Sequence, residues 1–232
     1  DTFARDNLPP VETWPEFNLD QFQYPEYLNA GVELTDRLVE QGFGDNTALI
    51  GNGRQRTYKE LSDWTNRIAH ALVEDYGVKP GNRIMIRSAN NPAMVIGFDG
   101  TANHDAELDR IALTKSVKFD AVKTGRDDVA LLGFTSGTTG QPKATMHFHR
   151  DLLIIADGYA KEVLNVTPDD VFVGSPPLAF TFGLGGLAVF PLRFGATATL
   201  LEKASPPNMI EIIETYKATV CFTAPTAYRA ML

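Results

Sequence analysis

The sequence has 232 residues, 44% of them apolar and 22% charged, and a formal net charge of −8. That length can bury a real core as one large domain or two small ones. No apolar run approaches the ~20 residues of a membrane span, and the acidic balance argues against a nucleic-acid backbone as the main partner. The single cysteine, Cys221, excludes a disulfide framework and a cysteine-based zinc site.

The first residues, Asp1-Thr2-Phe3-Ala4-Arg5-Asp6, lack the basic-then-apolar order of a secretory leader, so a cytoplasmic location is expected. Residues 1–26 are rich in aromatics and prolines without a helical or strand period. They read as an extended arm held to the surface by Trp14, Phe17, Phe22 and Tyr24. A short helix is expected over 29–41, with Val32, Leu34, Leu38 and Val39 facing inward and Gly42 and Gly44 ending it. Strands are expected at 47–50 and 54–58 around the turn Gly51-Asn52-Gly53. Thr57 and Glu60 then form a capping box, the hydroxyl satisfying an orphan N–H while the carboxylate reaches back. The helix they start is predicted to run to about Tyr76, with Leu61, Trp64, Ile68 and Leu72 as one apolar stripe. Gly77-Val78-Lys79-Pro80-Gly81 stops it, and 83–87 reads as a strand. A polar stretch covers 101–109, and 120–127 reads as a linker.

The next apolar run, Val129-Ala130-Leu131-Leu132-Gly133-Phe134, reads as a buried strand. It leads into Thr135-Ser136-Gly137-Thr138-Thr139-Gly140-Gln141-Pro142-Lys143. Two glycines allow a tight turn and close approach of backbone to a ligand, hydroxyls add donors without bulk, and Lys143 adds a mobile positive charge. Such a set at a strand end suits phosphate oxygens. It is not a Walker A loop, because Pro142 precedes the lysine and Ala144 follows it. On composition alone a solvated Gly/Thr linker remains open. A helix is predicted from about Asp151, preceded by His147, His149 and Arg150. His-x-His could ligate a metal, but no third ligand lies nearby in sequence, so packed or solvent-facing histidines are favoured.

A strand at 171–174 precedes Ser175-Pro176-Pro177-Leu178-Ala179-Phe180-Thr181-Phe182-Gly183-Leu184-Gly185-Gly186. Its glycines bring backbone close to a ligand or to a packed neighbour, and its phenylalanines are either a pocket wall or plain core. Strands at 196–201 and 218–223 flank a helix that starts at Ser205 and Pro206. Cys221 is read as a buried residue of the second of these strands. Ala224-Pro225-Thr226 opens a last helix. Strands alternating with helices imply an α/β fold, mainly parallel sheets flanked by helices. Three suspect loops, at Thr135, Ser175 and Ala224, each follow a predicted strand, and ligands of such sheets gather at carboxyl ends.

TSGTTGQPK resembles the phosphate-binding signature of the adenylate-forming superfamily, which includes acyl- and aryl-CoA synthetases, luciferases and peptide-synthetase adenylation domains. The capped helix, GVKPG and the strand after it are also similar to the N-terminal region of acyl-CoA synthetases, and the Ser175–Gly186 segment looks like aryl-CoA ligases of the benzoate and 2-aminobenzoate kind. The resemblance covers nearly all of the chain but only the first part of a family member. It implies residues 1–232 as an N-terminal domain fragment of an AMP-binding enzyme, with the C-terminal domain absent. After Val95 the family continues a long helix and further strand–helix units, whereas here the chain passes at once to Gly97-Phe98-Asp99-Gly100; a segment missing near 95–98 is favoured over a degenerate relative.

The resemblance implies ATP-dependent activation of a carboxylic acid, here an aromatic one, to an acyl-adenylate and then a coenzyme A thioester, with magnesium accompanying ATP. Thr135, Ser136, Gly137, Thr138, Thr139, Gly140 and Lys143 would hold the phosphates. Phe180, Gly183 and Ala224 would line the acid pocket. The family's later motifs have no counterpart before Leu232, so this chain alone is expected to be inactive. The alternatives are a non-catalytic nucleotide-binding module that kept only the loop, and a structural α/β domain. Small molecules, not nucleic acid or membrane, are the expected partners, and no oligomeric state follows from the sequence.

Overall fold

A computed structural model of the chain describes residues 2–14, 20–86, 90, 105–135 and 143–232. Seven strands are named in it: β1 (Thr47–Gly51), β2 (Arg54–Thr57), β3 (Val129–Thr135), β4 (Lys143–Phe148), β5 (Val171–Gly174), β6 (Thr197–Thr199) and β7 (Val220–Phe222). Five of them form one sheet in the order β2-β1-β6-β5-β7. The β1–β6, β6–β5 and β5–β7 pairs are parallel, and β2 alone is antiparallel, folding back on β1 through the Gly51–Gly53 turn. Strands β3 and β4 stand apart as a two-stranded antiparallel sheet.

The helices are α1 (Phe3–Asp6), α2 (Ala30–Leu34), α3 (Asp36–Leu38), α4 (Tyr58–Glu74), α5 (Asp105–Ala112), α6 (His149–Ile155), α7 (Thr181–Leu184), α8 (Phe190–Arg193), α9 (Pro206–Tyr216) and α10 (Pro225–Met231). Asn29 caps α2 by accepting from the N–H groups of Gly31 and Val32. The single helix expected over 29–41 is broken at Thr35 and continues as a π-helical turn over Val39–Phe43. The capping box of α4 is formed: the Glu60 N–H donates to Thr57 Oγ1 at 3.1 Å and the Thr57 N–H to Glu60 Oε2 at 2.9 Å.

The predicted stripe of α4 faces the core. Leu61 and Tyr58 join Leu49 of β1, Ala198 of β6, Leu187 and Leu192 in one cluster, while Ile68 and Ala71 meet Leu108 and Ala112 of α5. A second large cluster packs Phe172 of β5 against Val189, Phe190, Ala196, Ala156 and Ala160. Tyr58 is fully buried. Its hydroxyl finds the carbonyls of Ala196 at 2.6 Å and Pro191 at 3.2 Å, as a buried phenol must, and burial raises its pKa.

Three expectations need correction, and one strand was not foreseen. The arm is not extended throughout, since α1 and a 3-10 turn at Val11–Thr13 interrupt it. Trp14 lies 5.4 Å from the Phe148 ring, and the Tyr24 hydroxyl donates to Asp157 at 2.6 Å; Phe17 is outside the described residues. The strand expected at 83–87 is absent over its described part: residues 82–86 pair with no strand, and Ile84, Met85 and Ile86 are exposed. Strand propensity is a fit to neighbours, and among the described residues no strand lies paired beside 82–86. The polar stretch 101–109 gives way at Asp105 to α5, whose Leu108 and Ala112 are the buried side. The stretch from Lys143 to Phe148, for which the sequence named no element, is strand β4, and the helix after it starts at His149, close to the expected Asp151.

Candidate functional site

The signature falls at the turn of the β3–β4 hairpin. Thr135 pairs with Lys143, Phe134 with Ala144, Gly133 with Thr145, Leu132 with Met146 and Leu131 with His147. The last pair of the ladder, Thr135 with Lys143, lies on either side of residues 136–142. Ser136, Gly137, Thr138, Thr139 and Gly140 lie outside the described residues, as does the side chain of Thr135. The stem is less buried than the apolar run suggested, with Phe134 62% exposed. Thr145 Oγ1 lies 2.9 Å from His147 Nε2 and donates to the Gly133 carbonyl at 3.2 Å.

Ser175 and Ala224 follow neighbouring parallel strands, β5 and β7, at their carboxyl ends. The Ser175 N–H donates to the Phe222 carbonyl at 3.0 Å, and the hydroxyls of Ser175 and Thr223 are 2.6 Å apart. The two loops thus form one joined edge. Thr135 shares this polarity only in part, because its strand belongs to the separate hairpin. The hairpin nevertheless comes to the same place: a Cβ built on Gly133 would stand 3.5 Å from Thr181 Cγ2, at the start of α7.

Phe180 is 60% exposed and sits at this corner as the residue before α7. Phe182, 53% exposed, packs edge-on against Phe222 with centroids 5.9 Å apart. Gly183 is buried. A Cβ there would lie 2.1 Å from the Pro177 carbonyl oxygen, so its small size lets α7 close onto its own loop. Gly186 likewise admits the Phe222 ring, at 3.1 Å from a built Cβ. Ala224 is exposed and precedes α10.

Asn90 is a residue that sequence reasoning missed. Its Oδ1 accepts from the Leu178 N–H at 3.0 Å and its Nδ2 donates to the Leu201 carbonyl at 3.3 Å. It thereby fastens the 175–180 loop to the end of β6. The Ser175–Thr223 pair was also missed, although both are hydroxyl residues placed just after predicted strands. His147 and His149 have separate partners, Thr145 for the first and the Ala30 N–H, at 3.1 Å from Nδ1, for the second. Cys221 lies on β7 as expected but is half-buried where full burial was expected, and burial raises its thiol pKa.

The sequence model of the AMP-binding enzyme family matches residues 37–108 and 99–232. The chain is 28% identical to a benzoate–CoA ligase of Thauera aromatica over 267 residues, covering 90% of this chain and 51% of the relative. It is 26% identical to a 3-hydroxybenzoate–CoA ligase of an Aromatoleum species, covering 88% and 50%. Among solved structures, an anthranilate CoA ligase in complex with anthranoyl-AMP superposes with a TM-score of 0.82 at 22% identity, covering 89% of this chain and 52% of that one. A benzoate CoA ligase from Burkholderia xenovorans superposes with a TM-score of 0.76 at 22% identity, covering 88% and 51%. The chain spans about half the length of the relatives it matches. From the family match over most of its length, together with the signature at the hairpin turn, it follows that the chain belongs to the AMP-binding enzyme family.

Proposed function

We propose that the chain is the N-terminal-domain part of an enzyme that activates an aromatic carboxylic acid with ATP and passes it to coenzyme A. The observation that carries this reading is the position of the nine-residue signature: it closes the β3–β4 hairpin, and the stem of that hairpin abuts the corner occupied by Phe180 and Thr181. A phosphate-gripping loop and an exposed aromatic side chain at one corner are what a reaction between a nucleoside triphosphate and an aromatic acid requires. Relatives that carry the names of benzoate and hydroxybenzoate ligases support the aromatic class.

In this reading the acid's carboxylate oxygen attacks the α-phosphorus of ATP, the bond to the bridging oxygen breaks, and pyrophosphate leaves with the electron pair. A thiol then displaces AMP from the acyl carbon. The charge that moves in the first step resides on phosphate oxygens, so positioning and electrostatic stabilisation supply the rate. N–H groups and hydroxyls of Thr135, Ser136, Gly137, Thr138, Thr139 and Gly140 hold the β- and γ-phosphates, and Lys143 neutralises charge at the far end of the loop. Magnesium would ride on the phosphates, since no cluster of three or more metal-binding side chains occurs among the described residues. Phe180 offers a face for a flat ring, Gly183 holds the wall in place from behind, and Ala224 borders the joined edge of Ser175 and Thr223.

The same reading takes 1–232 as part of a longer domain from which a segment is missing near 95–98. Two observations support this. The family match comes in two spans that meet at 99–108, and the alignment to the Thauera relative, at 267 positions, is longer than the 232 residues of this chain. Calorimetric titration of the chain with ATP–magnesium, combined with pyrophosphate release by the intact gene product offered benzoate, 2-aminobenzoate and fatty acids, tests the proposal. ATP binding with release dependent on an aromatic acid is the expected result. Binding without release by any acid would leave a nucleotide-binding module, and no binding at all would leave a structural domain.

A further inference from the structure

Residues 113–128 join α5 to β3, and so lead directly to the hairpin. They are fastened at two seams. At the first, α4 grips 113–118 from the side: Arg67 donates to the carbonyls of Leu113 at 2.9 Å and Lys115 at 2.7 Å, and Asn66 to that of Val117 at 3.2 Å. His70 completes this seam. Its Nδ1 lies 2.6 Å from Glu74 Oε1 and its Nε2 2.7 Å from the Lys118 carbonyl. A carbonyl only accepts, and Glu74 is held ionised by Lys115 first and His70 second. Both ring nitrogens must therefore carry protons to satisfy both partners.

At the second seam the N-terminal arm runs beside 122–128. The Leu28 N–H donates to the Thr124 carbonyl at 2.9 Å, the Arg126 N–H to that of Glu26 at 2.9 Å, and the Thr124 hydroxyl to that of Leu28 at 2.7 Å. The seam ends at His149, the first residue of α6, whose own N–H donates to the Asp128 carbonyl at 3.1 Å. Its Nδ1 accepts the Ala30 N–H at 3.1 Å. An accepting nitrogen carries no proton, so this contact requires the neutral ring in its Nε2–H tautomer.

We propose that 113–128 is a tether with opposite protonation requirements at its two ends: a charged His70 fastens it to α4, while at the other end an uncharged His149, joined to Asp128 through its main-chain N–H, holds Ala30 where the arm enters α2, and both ends are closed together only where these two states coexist. The groups facing each ring agree. Around His70 stand Glu74 of α4 and Asp75 just past its end, Lys115 (2.9 Å from Glu74 and 2.5 Å from Asp75) and the edge-on ring of Phe119. Around His149 stand Asp128, itself 3.7 Å from Arg5, and the Arg150–Asp127 pair at 2.7 Å, with Arg126 alongside; Glu33 of α2 is bound to Arg193.

The bonds to Lys118 and then to Glu74 raise the His70 pKa above its ordinary 6.5. Burial lowers that of His149 below it, against an opposing pull from Asp128. The signs follow. The His70 contribution is complete below the ordinary value and is lost as pH rises through the raised one. The His149 contribution is complete above the ordinary value and is lost as pH falls through the lowered one.

Hydrogen exchange of the chain, corrected for the intrinsic pH dependence of amide exchange, tests this without reference to catalysis. Protection of 113–119 is expected to fall as pH rises above the ordinary histidine value of about 6.5, and protection of 26–30 to fall as pH drops below it, each by at most about tenfold per pH unit, the limit for one proton. His70→Gln should abolish the alkaline response of 113–119 and leave 26–30 unchanged. Should that variant fail to fold, imidazole titration of the unaltered chain by NMR gives the order of the two midpoints. Parallel movement of both segments, absence of any pH response, or a His70 midpoint at or below that of His149 would overturn the inference.

Discussion

The two glycines at the start of the helix after the 175–180 loop make a matched experiment. Gly183→Ala places a methyl carbon 2.1 Å from the Pro177 carbonyl oxygen and 2.7 Å from that of Pro176, both backbone atoms that cannot swing aside. Ordinary contact begins more than an ångström farther out, so either α7 or the loop must move. Overpacking of this kind costs about 1–3 kcal/mol. Gly185→Ala, two residues on, meets nothing nearer than Ile155 Cδ1 at 3.6 Å, in a backbone already helical at φ −62° and ψ −59°. There the loss of glycine's unfolded-state freedom should stabilise by about 0.4–1 kcal/mol. With a urea m-value of about 3 kcal/mol/M, the upper end of the range for small proteins, the first variant lowers the midpoint by roughly 0.3–1 M and the second raises it by roughly 0.1–0.3 M. Urea unfolding of both, followed by tryptophan fluorescence and circular dichroism, gives the answer. Equal stability of the two alanine variants would refute the claim that Gly183 is required by a backbone contact.

Three further outcomes are expected. Tyr58→Phe removes the hydroxyl shared by the Ala196 and Pro191 carbonyls and should cost about 1–3 kcal/mol in urea unfolding, the penalty of buried acceptors left unpaired. Arg193→Leu strips the guanidinium from Asp157, which it holds at 2.9 and 3.1 Å, and from Glu33 at 2.9 Å; with these groups four-fifths buried, a loss of about 2–3 kcal/mol is expected, and a neutral result would show the two carboxylates to be hydrated. Lys143→Ala should weaken ATP–magnesium binding by roughly 10- to 100-fold, the worth of a hydrogen bond to a charged group; unaltered binding in calorimetry would remove Lys143 from the phosphate site.

What could be read in advance was whatever depended on neighbours in sequence. The capping box of Thr57 and Glu60, the stripe of Leu61 and Ile68, and the order of strands and helices after Phe148 all rest on local chemistry and short periods. The hairpin was missed for the opposite reason. In Lys143-Ala144-Thr145-Met146-His147-Phe148, polar and apolar residues alternate, which is a strand period, but a Gly/Thr loop before a His–Arg cluster looked like the entrance to a helix. Residues 83–87 carry strand chemistry, yet strand pairing is a long-range event, and residues 82–86 belong to no strand. Asn90 and the Ser175–Thr223 pair are likewise contacts between residues 48 to 111 positions apart, which no local pattern announces.

The ladder that ends at Thr135 and Lys143 makes no strand pairing with the five-stranded sheet. The seven residues 136–142 lie in sequence between those two paired ends, so exchanging them touches no residue of the five-stranded sheet. Graft experiments that swap the turn for a plain two-residue reverse turn, or transplant it onto an unrelated hairpin, become practical on this scaffold, and they would separate what the turn itself recognises from what its surroundings add.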